Sequence, residues 1–97
     1  MQHITSKELA NNNDSPILIV DIREADKFND WHINNSENIS VYKDIWEGNI
    51  VAVKQKLGIL PKNRKIVTVC NAGVTSEKAS VLLESLGYET LVLEKGM

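Results

Sequence analysis

Three short apolar runs and one mixed segment, set between stretches of helical spacing, constrain the fold of this chain more than any other feature of its sequence. ILIV at 17–20, the segment at about 38–41 in INNSENISVY, KIVTVC at 65–70 and TLVLE at 90–94 are all too brief for helices. Their β-branched residues favour extended backbone, so they read as strands, the first ending at Asp21. Helical signals lie between and before them. Thr5 stands three residues before Glu8, the spacing of a reciprocal N-terminal cap, which predicts a short helix over about 6–12. Ala25, Phe28 and Trp31 share a face in READKFNDW and predict a second. Ile45, Ile50, Val53 and Leu57 predict a helix over 43–57, stopped by Gly58 and Pro61. The clearest is TSEKASVLLESLG, 75–87, where Ala79, Leu82, Leu83 and Leu86 recur at i, i+3, i+4 and i+7 before Gly87. Strands alternating with helices through connections this short imply a parallel sheet with helices on its faces, the α/β class.

At 97 residues the chain has room for one core, and a single domain, 1–97, is expected. With 42% hydrophobic and 25% charged residues, its stability must come from packing. Eleven Lys and Arg against thirteen Asp and Glu give a net charge of −2 with no basic run, so no nucleic-acid partner is expected. The N-terminal MQHITSKELANNNDS lacks the basic start and apolar core of a secretion signal. No apolar stretch approaches the roughly 20 residues that span a bilayer, so no membrane partner and a cytoplasmic location are expected. The oligomeric state is not legible. His3 and His32 are isolated, and with one Cys no zinc-ligand spacing exists, so no metal or cofactor is expected. A lone glycine at 73 makes no nucleotide-binding fingerprint.

The single cysteine, Cys70, stands where a strand ends and CNAGVTS leads into the best helix. In open parallel sheets the ligand site lies beyond the carboxyl ends of the strands, which is where Cys70 falls. Gly73 can take backbone angles that other residues avoid, and Asn71 tolerates them better than most. The amides of such a turn, with the partial positive charge of a helix start, can stabilise a thiolate, making Cys70 a candidate nucleophile. The plainer reading is a small buried hydrophobe completing a strand. Thr75 and Ser76 are expected first as helix caps. Asp21 and Arg23 read either as support for this edge or as an ordinary strand-end ion pair. His32 is a general acid or base by type, or a histidine satisfied by a neighbouring loop.

Three segments in order resemble the rhodanese family. CNAGVTS is similar to its active-site loop, Cys-x-x-Gly-x-Thr/Ser or Arg. LIVDIREADKFNDWHINNSENISVY resembles its strand ending in Asp-x-Arg-Glu, short helix, His-Ile pair and Asn-Ile strand. LESLGYETLVLEKGM resembles its last helix, Leu-Gly-Tyr turn, strand and Gly-Met end. The resemblance spans 4–97. It implies a three-layer α/β/α fold with a central, mainly parallel sheet of about five short strands. It also implies a sulfurtransferase in which Cys70 takes a sulfane sulfur from a donor, thiosulfate or a persulfide, and passes it as a persulfide to a thiophilic acceptor. Donor and thiol acceptor, each a small molecule or a protein, are the implied partners. The loop of Asn71, Ala72, Gly73, Val74, Thr75 and Ser76 would hold the persulfide, with Asp21, Arg23 and His32 in support.

Two departures stand out. Relatives that handle thiosulfate well often carry basic residues directly after the cysteine, where this chain has Asn71 and Ala72. Trp31 replaces the glycine usual before His32. The family pattern normally continues past Gly96 with an aromatic-containing helix, and whether KGM is a natural end is not legible in the sequence. Alternatives within the family are a sulfur-carrier, interaction or regulatory module, including the N-terminal part of a fusion with a metallo-β-lactamase-fold hydrolase. A cysteine phosphatase fits poorly. Its loop is one residue longer and closes with an Arg that grips phosphate, where this chain has Ser76, and Val69 stands where such enzymes place His.

Overall fold

The computed structural model describes residues 2–11, 17–71 and 73–94. In chain order the elements are β1 (His3–Ile4), α1 (Ser6–Asn11), β2 (Ile17–Asp21), α2 (Ala25–Asp30), β3 (Glu37–Asn38), α3 (Tyr42–Trp46), α4 (Ile50–Leu57), β4 (Lys65–Val69), α5 (Val74–Ser85) and β5 (Thr90–Leu93). The five strands form one sheet in the order β1-β5-β4-β2-β3, with every pair parallel. The expected five-stranded α/β sheet is present.

Side chains alternate across the sheet with the two-residue period of extended backbone. Leu18, Val20, Ile66 and Cys70 face Ile45 of α3, Val53 and Leu57 of α4, and Ala79 and Leu83 of α5. Val67, Val69 and Leu93 face the other way, where Leu9 of α1 packs. Helices thus cover both faces, giving three layers. Burying a Leu57 or Leu83 side chain contributes about 1.5–3 kcal/mol each, which is why the helix-period leucines decide where α4 and α5 dock.

The expected cap of α1 is formed. Thr5 N–H donates to Glu8 Oε1 and Glu8 N–H to Thr5 Oγ1, both at 3.1 Å. Asn12 of the expected helix, most of the NNNDSP turn and the terminal KGM lie outside the described residues.

The structure departs from expectation at four places. The strand β1 is two residues long and pairs His3 with Val92 and Ile4 with Leu93. The expected strand at 38–41 is reduced to β3, Glu37–Asn38. The Asn38 amide donates to the carbonyls of Asp21 and Arg23, and the Ser40 hydroxyl to that of Arg23, so side chains take over from the ladder. The expected helix over 43–57 is two helices, because Gly48 at φ 74° turns the chain between α3 and α4. Helix α2 forms, but the Ala25, Phe28 and Trp31 face is not buried. Phe28 stacks on His32 at 3.8 Å between ring centroids, and Trp31 is 60% exposed.

Candidate active site

Strand β4 ends at Val69, and Cys70 follows at the carboxyl edge of the sheet, directly before the turn into α5. Its side chain is 1% exposed and belongs to the core beneath α5. The sulfur is nonetheless held by polar groups. Gly73 N–H donates to Sγ at 3.1 Å and Ser76 N–H at 3.4 Å, with Ser76 Oγ also 3.4 Å away. The thiol that packs as a core residue on one side is therefore the focus of loop amides on the other.

Gly73 makes this geometry available. It is the residue before α5, at φ 87° and ψ −16°, a left-handed conformation that costs a residue with a Cβ about 1–2 kcal/mol. The turn brings its own N–H, and the Ser76 N–H of the first helical turn, onto one atom. The partial positive charge of that helix start adds to both donors.

Thr75 and Ser76 are not caps, a correction to the expectation above. The helix begins one residue earlier, at Val74, which places both inside its first turn. Gly73, in the capping position, has no side chain to accept a bond from the helix amides. Ser76 Oγ instead donates to Gly73 O at 3.0 Å, closing the loop on itself, and Ser76 O accepts from the Thr68 hydroxyl of β4 at 3.0 Å. Thr75 Oγ1 accepts from the indole N–H of Trp46 at 2.9 Å. Asn71 and Val74 are exposed on the loop, and Ala72 lies outside the described residues.

Asp21 and Arg23 sit at the end of the neighbouring strand β2, and Ile22 N–H bonds Val69 O, one residue before Cys70. Arg23 Nε donates to both Asp21 oxygens at 3.0 and 3.1 Å. Its Nη2 donates to Oδ2 at 2.8 Å and to Trp31 O at 2.7 Å. Both residues are buried. The hydrogen bonds to Asp21 raise the guanidinium above its ordinary pKa against the opposing effect of burial. The charges of Asp21 and of an ionised Cys70 act in the same direction. The guanidinium charge is paired with Asp21, and Nε and Nη2 are committed to Asp21 and the Trp31 carbonyl. The replacement of glycine by Trp31 is accommodated because the contact made here is by the Trp31 carbonyl.

The structure does not bring His32 into this group. Its Nδ1 is 2.7 Å from Phe28 O and its ring lies on Phe28, an exposed histidine satisfied at the end of α2. Among the described residues no three His, Cys, Asp or Glu side chains converge as metal ligands, and no helix is long and apolar enough to cross a membrane. Trp46, which binds Thr75, escaped the reading of the sequence. Its one signal there is a large aromatic next to Ile45, and so off the buried stripe of its helix.

The fold and site define an all-parallel α/β domain in which a cysteine at the carboxyl edge of the sheet has its sulfur cradled by the amides of the following turn and helix. The rhodanese-like domain family matches residues 5–97, and the chain belongs to that family. It is 35% identical over 86 residues to the tRNA uridine(34) hydroxylase of Aster yellows witches'-broom phytoplasma, covering 84% of this chain but 26% of that relative. The chain therefore spans about a quarter of the length of the curated relative it matches. Among solved structures, a rhodanese-like domain protein from Staphylococcus aureus is similar at TM-score 0.80 and 29% identity, over 100% of this chain and 88% of that one. A rhodanese-related protein from Thermoplasma volcanium is similar at TM-score 0.80 and 26% identity, over 99% and 86%.

Proposed function

We propose that this protein is a sulfurtransferase that carries a sulfane sulfur as a persulfide on Cys70, working in the cytoplasm between a sulfur donor and a thiol acceptor. The observation that carries this reading is the pair of amides, Gly73 and Ser76, donating to Cys70 Sγ at 3.1 and 3.4 Å. Such donors favour sulfur in its anionic form, and fixed dipoles of this kind need no reorganisation during reaction.

In the first half-reaction the Cys70 thiolate attacks the outer sulfur of the donor. A new sulfur–sulfur bond forms, and the donor's own breaks with its electron pair leaving on sulfite, or on a thiolate if the donor is a persulfide. In the second half-reaction an acceptor thiolate or cyanide attacks the terminal persulfide sulfur, and Cys70 departs as a thiolate. No external oxidant or proton is required. Asn71, exposed and uncharged, gives a sulfonate no cation at the mouth, so persulfide donors compete well with thiosulfate.

Production of thiocyanate from cyanide with thiosulfate or a low-molecular-weight persulfide as donor tests the reading. Turnover by the protein and its loss in Cys70→Ser support it. Turnover equal to that of the Ser variant with every donor contradicts it.

The 35% identity to a tRNA uridine(34) hydroxylase favours a second reading, a domain that serves tRNA modification. A net charge of −2 without a basic run argues against an RNA surface on this chain. Mobility shifts with tRNA at low and at physiological salt separate the two, because phosphate contacts weaken steeply with salt.

A further inference from the structure

We infer that Trp46 is a positioning residue for sulfur transfer, acting on the Cys70 loop through Thr75. The inference rests on the sulfurtransferase reading. The side chain of Trp46 is 54% exposed, so burial of its ring does not account for its placement, yet its Nε1–H reaches the 3% exposed Thr75 hydroxyl at 2.9 Å. A second contact comes from the same helix, where the Lys78 ammonium, three residues after Thr75, lies 5.3 Å from the centre of the Trp46 ring. Helix α3, which carries Trp46, is anchored at its start by Tyr42 N–H on Ile22 O, the residue just past the end of β2. Trp46 therefore links the end of β2 to the first turn of α5 across the side of the loop.

The consequence falls on the sulfur. Thr75 directly precedes Ser76, whose N–H and Oγ both lie 3.4 Å from Sγ. A Thr75 hydroxyl held by the indole fixes the peptide that carries the Ser76 amide. Without it, the Thr75 side chain can turn to bond its own backbone, a habit of Ser and Thr in a first helical turn. The donor aimed at the sulfur then loses its alignment.

Trp46→Phe tests this, because it keeps an aromatic ring that can face Lys78 while removing the N–H together with the pyrrole ring that carries it. The rate constant for sulfur loading of Cys70 by a low-molecular-weight persulfide is expected to fall about tenfold, the equivalent of about 1.4 kcal/mol, with the apparent KM unchanged. Thr75→Val is expected to fall at least as far, and the double variant no further than Thr75→Val alone, since both remove one contact. Amide hydrogen exchange at Ser76 is expected to quicken in Trp46→Phe while the amides of β4 hold. A wild-type rate in Trp46→Phe, or losses that multiply in the double variant, overturns the inference. If the wild-type protein takes up no sulfur from any donor, the functional reading fails. Exchange at Ser76 then decides the coupling of Trp46 to the loop, and an unchanged rate in Trp46→Phe overturns it.

Discussion

Arg23 grips Asp21 through both oxygens of the carboxylate, with Nη2 2.8 Å from Oδ2 and Nε within 3.1 Å of each, and the Arg23 backbone N–H adds a further bond to Oδ1 at 3.0 Å. The pair fixes the corner that follows β2, beside the strand end bearing Cys70. Removing one partner leaves the other charge buried and uncompensated, at a cost of about 3–5 kcal/mol. Arg23→Gln is therefore expected to lower the melting temperature by more than 10 °C, taking about 4–8 °C per kcal/mol for a domain of this size. Arg23→Gln with Asp21→Asn should recover part of the loss. A single variant melting with the wild type would show that the pair contributes little.

Gly73→Val addresses the cradle. At φ 87° a β-branched side chain is strained, so the loop is expected to abandon the conformation that points its amides at Cys70. Sulfur loading should fall at least tenfold while the melting temperature drops by about 4–16 °C, the equivalent of a cost of about 1–2 kcal/mol. Loading at the wild-type rate would separate the chemistry from the loop geometry.

Much of this was legible in the sequence because it depends on local patterns. The Thr5 and Glu8 cap, the short apolar runs of β2 and β4, the leucines of α5 and the place of Cys70 are all set within a few residues of chain. What was not legible is tertiary. A two-residue strand such as β1 has no period to read, and Ile4 is buried only because β5 arrives from the other end of the chain. Gly48 sits inside a stretch with helical spacing, and its positive φ, which the spacing does not announce, makes it a break. Thr75 and Ser76 looked like caps because their residue types favour that role, whereas the turn at Gly73 starts the helix a residue sooner. Trp46 finds Thr75 from 29 residues away, a contact that no spacing announces.

Donor preference follows from the uncharged mouth. Asn71→Arg is expected to raise kcat/KM for thiosulfate about fivefold and to leave that for a neutral persulfide within twofold. Position 71 is exposed, so a new ion pair contributes about 1 kcal/mol at most after screening by solvent. An equal rise with both donors would show that charge at this position does not select.

The cap of α1 is pH-dependent. The bond from Thr5 N–H, and then that with the Thr5 hydroxyl, lower the Glu8 pKa below its unfolded value. The stabilisation is thus complete above the unfolded pKa of a glutamate, about 4.3, and is lost as pH falls through the folded value. Titration of the Glu8 carboxyl carbon by NMR should give a midpoint below about 4.3, and Thr5→Ala should move it back up. A midpoint at or above the ordinary value in the wild-type protein would contradict the cap.

The most direct test of the account is the intact mass of the protein after incubation with a persulfide donor and removal of excess reagent. Wild type is expected to gain the mass of one sulfur atom, to lose it on addition of cyanide or a thiol, and to yield the modified peptide at Cys70. Cys70→Ser should gain nothing and retain the wild-type circular dichroism spectrum. No gain by wild type with any donor, or an equal gain by Cys70→Ser, would contradict sulfur transfer through Cys70.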